Sequence, residues 1–409
     1  MSEILFLAHR IPFPPDRGDK IRSHHVLKRL ARIAPVHVAT MAEDEHDLAE
    51  EEALAGMAAT YHLARRAKPL PLAGLEALAR GKPVSVTAFH SRALEAYVAK
   101  VLATRPISAI YVFSGQMGQY VPEGFKGRLV MDFVDVDSAK FEAYGLKKSG
   151  PRGWIDAREG RELAREEARL ASRADISLLI SHEERDLFVS RLPAGSAAQV
   201  ETMGNGLDAE YFNPVSVQPA RELAATTGPK IVFTGQMDYA PNIEAAERAI
   251  EAIMPVVRAA IPDATFHVVG RNPPASLLAC HGSNGNFVWG RVPDMREWLK
   301  GADLALVPLD IARGVQNKVL EAMAMGLPVV LTPGAATGIP ARDDEHFLIG
   351  ESDVELAQAV ISLLQSPARA SAMGIAAREW IVGNASWQAA LAPLAGWLDM
   401  ADRRMRDAA

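Results

Sequence analysis

The chain has 409 residues, 49% of them hydrophobic and 23% charged, with a formal net charge of −6. That length exceeds what one hydrophobic core sustains and predicts two domains of about 200 residues each, while the composition excludes a disordered, low-complexity or fibrous chain. Up to position 205 there are 28 basic against 27 acidic residues, and beyond it 16 against 23, so neither half carries the positive excess of a nucleic-acid surface. Small basic clusters in the first half, Arg65, Arg66 and Lys68 or Lys147, Lys148 and Arg152, are either solvated faces or contacts for an anionic membrane surface. Cys280 is the single cysteine, which excludes an intramolecular disulfide and a cysteine-rich metal site and fits a reducing compartment.

Short apolar runs bounded by Gly, Pro or Asp alternate with longer stretches of helical period, the pattern of parallel α/β architecture. The first run, EILFLA (3–8), lies in MSEILFLAHRIPFPP, which has no basic leader and reads as a strand, not as a signal peptide. The helix after it carries Val26, Leu27, Leu30 and Ala34 at spacings of three and four, a stripe that packs on a sheet. Strands follow at VHVAT (36–40), AIYVF (109–113), RLVMDF (128–133) and DISLLI (175–180). The segment 204–229, GNGLDAEYFNPVSVQPARELAATTGP, is rich in turn formers and ends this periodic stretch. Beyond it come KIVFTG (230–235), a helix opened by PNIEAAERAI with Asn242 as its N-cap, TFHVVG (265–270), NFVW (286–289), DLALVPL (303–309) and PVVLT (328–332). Each half is its own doubly wound sheet. Two such folds joined by a hinge predict a cleft, with ligands beyond the carboxyl ends of the strands. No stretch reaches the roughly 18 apolar residues of a membrane helix.

The stretch ARGVQNKVLEAMAMG (312–326) sits where a strand hands over to a helix, expected to begin near Gly314 or Val315. Helix amino ends favour anions, and Arg313 and Lys318 add one forked and one compact cation suited to phosphate oxygens. Glu321 lies three residues after Lys318 on the same face, where its two oxygens can accept both hydroxyls of a ribose diol. The alternative is a surface Lys-Glu pair of a few tenths of a kcal/mol, roughly.

Other strand ends carry further candidates. In PPDRGDKIR, Gly18 permits close backbone approach to a ligand and Lys20 and Arg22 add charge, unless Asp16 or Asp19 caps the helix and the cations are solvated. His9 ends the first strand and faces a cleft mouth or is structural. In LVMDFVDVDSAKFEAY, Asp137 reads as a helix cap and Asp132 as a residue buried in hydrogen bonds to backbone groups. Asp135 is left in the connecting loop. Gly235 allows close approach after the strand VFT, and Arg271 reaches a phosphate or covers the sheet edge. There is no GxxxxGK[ST], HExxH or GxGxxG, and the histidines lack metal-ligand spacing, so no metal or bound cofactor is expected.

RGVQNKVLEAMAMGLPVVLTP resembles the donor-binding helix of retaining GT-B glycosyltransferases of the family 4 type, marked by two glutamates eight positions apart. Glu321 matches the second, the ribose contact. The first is replaced by Arg313, which the resemblance suggests is recruited to the diphosphate. FLAHRIPFPPDRGDKIRSHHVLKRLA, NGLDAEYFNP and VFTGQMDYAPN are similar, in order, to the family's first strand and helix, its inter-domain segment and the start of its donor domain. HRIPFPPDRGDKIR, MDFVDVDSAKFEAYG and FTGQMDYAPN together resemble bacterial sugar transferases of exosortase and exopolysaccharide loci.

The resemblance implies an N-terminal acceptor-side Rossmann-like domain at 1–204, a linker at 205–229, a nucleotide-sugar-binding Rossmann-like domain at 230–380, and a C-terminal helix at 381–409 crossing back. Trp380, Trp387 and Trp397 there read as core. It implies a retaining, metal-independent transferase moving a sugar from a nucleotide diphosphate-sugar to a glycan or lipid-linked acceptor. Arg313 and Lys318 would stabilise the leaving diphosphate, Gly18, Gly235, Arg271 and Glu321 would complete the donor site, His9, Lys20 and Arg22 would face the acceptor, and Asp135 would orient reacting hydroxyls. A nucleotide-sugar epimerase of the same fold, or a non-catalytic scaffold of an export complex, are the alternatives. A cytoplasmic location, at most peripheral to the inner face of the membrane, is expected.

Overall fold

The computed structural model describes residues 2–147, 150–310 and 315–400. The chain forms two compact units, one running to Asn205 and taking the chain up again from Ala390, the other formed by Gly206–Ala389.

The first unit is a sheet of β1 (Glu3–Ala8), β2 (Val36–Ala42), β3 (Thr60–Arg65), β4 (Ile107–Phe113), β5 (Arg128–Val134), β6 (Ile176–Leu179) and β7 (Val200–Thr202). The strand order is β3-β2-β1-β4-β5-β6-β7. All neighbours are parallel, with Phe6 opposite Val38 on one side and Tyr111 on the other. The second unit repeats the plan with β8 (Lys230–Thr234), β9 (Thr265–Val269), β10 (Asn286–Val288), β11 (Leu304–Val307), β12 (Val329–Leu331) and β13 (Leu348–Ile349), ordered β10-β9-β8-β11-β12-β13. Central parallel strands are covered on both faces, which is why they read as unbroken apolar runs. The strands β3, β7 and β13 lack that signal: β3 is a half-exposed edge strand and the other two are only three and two residues long.

Crossover helices cover the sheets. In the helix Gly18–Ile33 the stripe Val26, Leu27 and Leu30 is fully buried, as the spacing predicts. Lys20 and Arg22 are buried as well, at 2% and 1% exposure, which corrects the expectation that they face an acceptor. Lys20 pairs with Asp47 and donates to the Phe13 carbonyl at 2.9 Å. Arg22 forms a two-pronged pair with Asp132, Nε to Oδ2 and Nη2 to Oδ1 both at 3.0 Å, and its Nη1 donates to the Met203 carbonyl at 2.8 Å. The Tyr111 hydroxyl donates to Asp132 Oδ2 at 2.7 Å, so the Asp132 side chain is bound by side chains and not by backbone groups as expected. This network ties the first helix to β4, β5 and the end of β7.

Segment boundaries also differ from the reading of the sequence. The segment read as the linker, 205–229, groups with the second unit from Gly206 on. Leu207 donates to the Ala385 carbonyl at 2.7 Å and accepts from the Trp387 amide at 3.1 Å, and a Cβ on Gly206 would lie 2.2 Å from the Trp387 nitrogen. Of the helix expected at 381–409, the described residues 381–400 hold a π turn, Ile381–Ala385, and two four-residue helices, Trp387–Ala390 and Leu394–Trp397, with the chain grouped in the first unit from Ala390 on. Trp387 is buried, and Trp380 packs on the core of the second unit, as core aromatics do.

Breaking a buried charge pair from one side leaves the other charge desolvated and unpaired. Asp132→Ala should therefore cost about 3–5 kcal/mol, whereas Tyr111→Phe, which leaves the Arg22–Asp132 pair intact, should cost about 1 kcal/mol. Urea unfolding monitored by circular dichroism measures both.

Candidate active site

In each sheet the strand order reverses between the first strand and the fourth, β1 and β4 or β8 and β11. Successive crossovers leave to opposite sides there, and the loops at the carboxyl ends diverge to leave room for a ligand.

In the second unit, β8 delivers Gly235 and β9 delivers Gly270 to this point. The Gly235 amide donates to the Val269 carbonyl at 3.1 Å, and a Cβ on Gly270 would lie 1.5 Å from the Gly235 carbonyl oxygen, so no side chain fits at 270. A Cβ on Gly235 would lie 3.2 Å from Lys318 Nζ. A side chain at 235 would crowd this ammonium and also the Asn242 side chain, whose Nδ2 would lie 2.9 Å from the added Cβ.

Lys318 is the second residue of the helix Asn317–Ala324, which begins two to three residues later than expected and has Gln316 at its N-cap without a side-chain cap bond. Its ammonium donates to Asn242 Oδ1 and lies 4.8 Å from the centre of the Phe233 ring. Asn242 is not the cap of its own helix, Ala240–Arg248, where Tyr239 takes that place. Inside the first turn its amide donates to the Gln236 carbonyl at 2.9 Å, which holds its oxygen toward Lys318. Burial lowers the Lys318 pKa to about 8, opposed by the carboxylate of Glu321. Burial likewise raises the Glu321 pKa, opposed by Lys318. The pair is therefore partly desolvated, unlike an ordinary surface pair.

Arg271 Nη2 donates to Gln236 Oε1 at 3.1 Å and its Nε lies 3.7 Å from Asp238 Oδ2, leaving the guanidinium half exposed on the same loop layer. The loop after β11 is anchored from below, where Arg248 binds Asp310, donates to the Pro308 carbonyl at 3.3 Å and pairs with Asp353 at 2.6 Å. Arg313 lies outside the described residues. Asn242 and Gln236 have no motif of their own, and their positions beside Lys318 arise only where β8 and β11 meet.

In the first unit, His9 directly follows β1, with its ring stacked on Phe113 at 5.6 Å and edge-on to Phe89 at 5.8 Å. Its Nε2 lies 3.4 Å from Asp19 Oδ2, and its Nδ1 is buried with no hydrogen-bond partner among the described residues. Burial alone would raise the Asp19 pKa, but hydrogen bonds from His9 and Arg10 hold that carboxylate well below its usual range. Gly18 opens the first helix, and a Cβ added there would meet nothing within 4 Å, so packing does not demand glycine at this position.

Asp135 follows β5, is about one-third exposed, and accepts from Lys140 Nζ at 2.6 Å. Lys140 also lies 3.5 Å from Asp137 Oδ1. Asp137 is the first residue of the helix Asp137–Lys147, and the cap that it was expected to supply comes from elsewhere. Glu167 accepts from the Ser138 amide at 3.0 Å and the Ser138 hydroxyl at 2.6 Å, and Glu184 accepts from the Val136 amide at 2.7 Å. Asp137 is thereby released from capping, and burial raises its pKa, with Lys140 opposing and Asp135 reinforcing the shift. Two non-glycine residues nearby have positive φ, Ser114 after β4 with φ 78° and Val134 at the end of β5, next to Asp135, with φ 70°. A β-branched residue in that conformation is strained, and such strain gathers at functional sites.

Residues 228–366 match the family model described as glycosyl transferases group 1. The chain is 30% identical over 244 residues, 54% of its length and 61% of the relative, to a GDP-mannose-dependent monoacylated alpha-(1-6)-phosphatidylinositol monomannoside mannosyltransferase of Corynebacterium glutamicum. It is 28% identical over 242 residues, 52% of its length and 60% of the relative, to alpha-maltose-1-phosphate synthase of Mycolicibacterium smegmatis. The chain thus spans about three fifths of the length of these curated relatives. Among solved structures, that of Anabaena HepE in complex with UDP and glucose aligns over 98% of this chain and 100% of that one, with a TM-score of 0.54 at 14% identity. A glycosyltransferase from Rickettsia africae aligns over 97% and 98%, with a TM-score of 0.56 at 12% identity. The two parallel α/β sheets and these neighbours give the chain the GT-B architecture, and the match to the group 1 glycosyl transferase model falls within its second unit.

The Lys318 shift makes stability depend on pH. Its folded pKa, about 8, lies below the ordinary lysine value, so between the two the unfolded chain holds more protons and stability rises with pH. The stability of the wild type relative to Lys318→Met should therefore increase from pH 8 to pH 10, roughly the window between folded and ordinary lysine values, as read by chemical denaturation at each pH. Gly270→Ala, which drives a methyl into the Gly235 carbonyl, should lower the thermal midpoint by several degrees, roughly the effect of 1–3 kcal/mol.

Proposed function

We propose that this chain is a retaining glycosyltransferase that moves a sugar from a nucleotide diphosphate-sugar to a glycan or lipid-linked acceptor, in the service of exopolysaccharide biosynthesis. The observation that carries the donor half is the part-buried Lys318 ammonium, bound to Asn242 and facing the bare Cα of Gly235 at the β8/β11 switch point, with Glu321 one turn further on. Cleavage of the sugar-phosphate bond leaves negative charge on the departing diphosphate and positive charge on the anomeric carbon. Lys318 and the amino end of its helix are preorganised for the departing charge, where low dielectric strengthens each contact. Arg313, by its place in the sequence, and Arg271, by its loop, supply further cations, so the leaving group is neutralised by side chains without calling on a divalent ion. Glu321 accepts from the ribose hydroxyls.

The acceptor half rests on His9, Asp135 and Asp137, whose positions at the ends of β1 and β5 suit them to orient hydroxyl groups. Lys20 and Arg22, saturated by Asp47 and Asp132, act by holding the first helix. Retention, a lipid-linked acceptor and a peripheral place at the inner membrane face belong to this reading through the resemblance of the sequence and the names of the mannosyltransferase relatives. No described helix is long and apolar enough to cross a membrane.

A thermal-shift panel of UDP, GDP, ADP and their sugars tests the donor site. One nucleotide class should stabilise the protein, and Glu321→Ala and Lys318→Ala should each weaken its binding by about tenfold or more, the scale of a lost charge-assisted hydrogen bond. Stabilisation by none of them would refute the reading. Because an incoming diphosphate restores the Lys318 charge, binding above pH 8 should take up a proton, seen as a calorimetric heat that changes with the ionisation enthalpy of the buffer.

A further inference from the structure

The helix Leu70–Arg80 in the first unit is turned inside out. Its buried side is formed by Ala73 and Ala77, while Leu72, Leu75 and Leu78 are 57%, 66% and 53% exposed. With Pro71 and Ala79, both also exposed, these leucines make an outward face that contains no charged residue. A helix covering a sheet normally turns its leucines inward, and a contiguous exposed apolar face marks a surface that meets something other than water.

The face does not stand alone. The guanidinium of Arg158 donates to the Ala77 carbonyl at 3.1 Å and the Lys82 carbonyl at 3.2 Å, tying the end of this helix to the long helix Gly150–Arg173. One turn before Arg158, Trp154 and Ile155 are 57% and 49% exposed. Residues 65–82 contain Arg65, Arg66, Lys68, Arg80 and Lys82 against the single acid Glu76, and two acids from outside that stretch join them, Glu45 at 2.8 Å from Arg65 and Glu43 at 3.2 Å from Arg66, so that cations still outnumber acids. Glu76 is already engaged by Lys68 and Arg80, each at 2.8 Å. An apolar stripe with an indole at one end and a basic rim is the pattern that lies in the headgroup layer of an anionic bilayer, leucines among the acyl chains and cations at the phosphates.

We propose that the outward face of the helix Leu70–Arg80, continued by Trp154 and Ile155, is a membrane-docking surface for anionic phospholipid. This deepens the peripheral-membrane part of the reading above and rests on that part alone, since neither donor nor acceptor residues belong to the surface. A glycosyltransferase docked here would meet a lipid-linked acceptor by diffusion in two dimensions.

The test is co-sedimentation of the full chain with vesicles of phosphatidylcholine alone or mixed with phosphatidylglycerol. The wild type should bind the mixed vesicles and not the neutral ones, with binding lost at high salt. The triple variant Leu72→Ser, Leu75→Ser, Leu78→Ser should bind at least about tenfold more weakly, as loss of three apolar anchors requires, and Arg80→Glu with Lys82→Glu should abolish the preference for anionic lipid. Because the three leucines are exposed, the triple variant should keep the wild-type melting temperature and nucleotide-induced shift, and these separate a docking failure from misfolding and from failure of the donor site. A wild type that stays in the supernatant with anionic vesicles overturns the proposal, and so does a triple variant that binds unchanged. A wild-type dimer in sedimentation equilibrium that the triple variant loses, without vesicle binding, also overturns it and assigns the face to a second copy of the chain.

Discussion

A lysine ammonium held away from water is the constraint around which the second unit is arranged. Such a group is stable only where the surrounding atoms replace part of its hydration. Here that is done by the Asn242 oxygen, the face of the Phe233 ring and the carboxylate of Glu321. Each depends on the sheet beneath. Phe233 and Gly235 come from β8, Asn242 from the helix that follows it, and Lys318 and Glu321 from the helix after β11. The close contact of Gly270 with Gly235 sets the floor, since any side chain at 270 would push the β8 loop away. Replacement of hydration is incomplete, since burial lowers the Lys318 pKa by more than the Glu321 carboxylate raises it. An anion in this place would complete it, so ground-state discomfort and ligand binding are two sides of one electrostatic arrangement.

Buried charge is used differently in the first unit. Arg22 and Asp132 are closed on each other, and Nη1 of the arginine donates to the Met203 carbonyl and to Asn205 Oδ1. A pair buried and closed in this way serves to lock the first helix against β5. His9, Asp135 and Asp137 lie at the opening of the same sheet with capacity unused: a ring nitrogen lacking a described partner, and two carboxylates sharing one lysine. Strained backbone at Ser114 and Val134 borders them. Proximity in the sequence does not separate the two kinds, since Asp132 and Asp135 are three residues apart.

Much of the architecture is legible because parallel strands covered on both faces must be apolar throughout and crossover helices must carry a stripe. EILFLA, KIVFTG and the Val26, Leu27, Leu30 stripe follow from those two requirements. The strands β3, β7 and β13 escape because edge and very short strands owe their pairing to a neighbour more than to their own pattern. The Lys318 and Glu321 pair is legible through its spacing on one helix face. Asn242 is misleading because Pro-Asn is a common local start signal, whereas here its amide is used for a tertiary contact. Asp137 misleads toward capping for the same reason, and the cap comes from Glu167 and Glu184, far away in the chain.

By itself, then, the amino-acid sequence determined what short-range physics controls: which segments are strands or helices, that two doubly wound sheets follow one another, and which residues crowd the helix after β11. Tertiary structure decided which charges are closed and which are open. Arg22, Lys20, Lys318 and Arg271 are all cations near strand ends, and nothing local distinguishes them. Their roles part only when folding brings Asp132 and Asp47 to the first two, leaves Lys318 half-satisfied and leaves Arg271 in water, because the strength of a charge depends on the solvent and partners that remain to it.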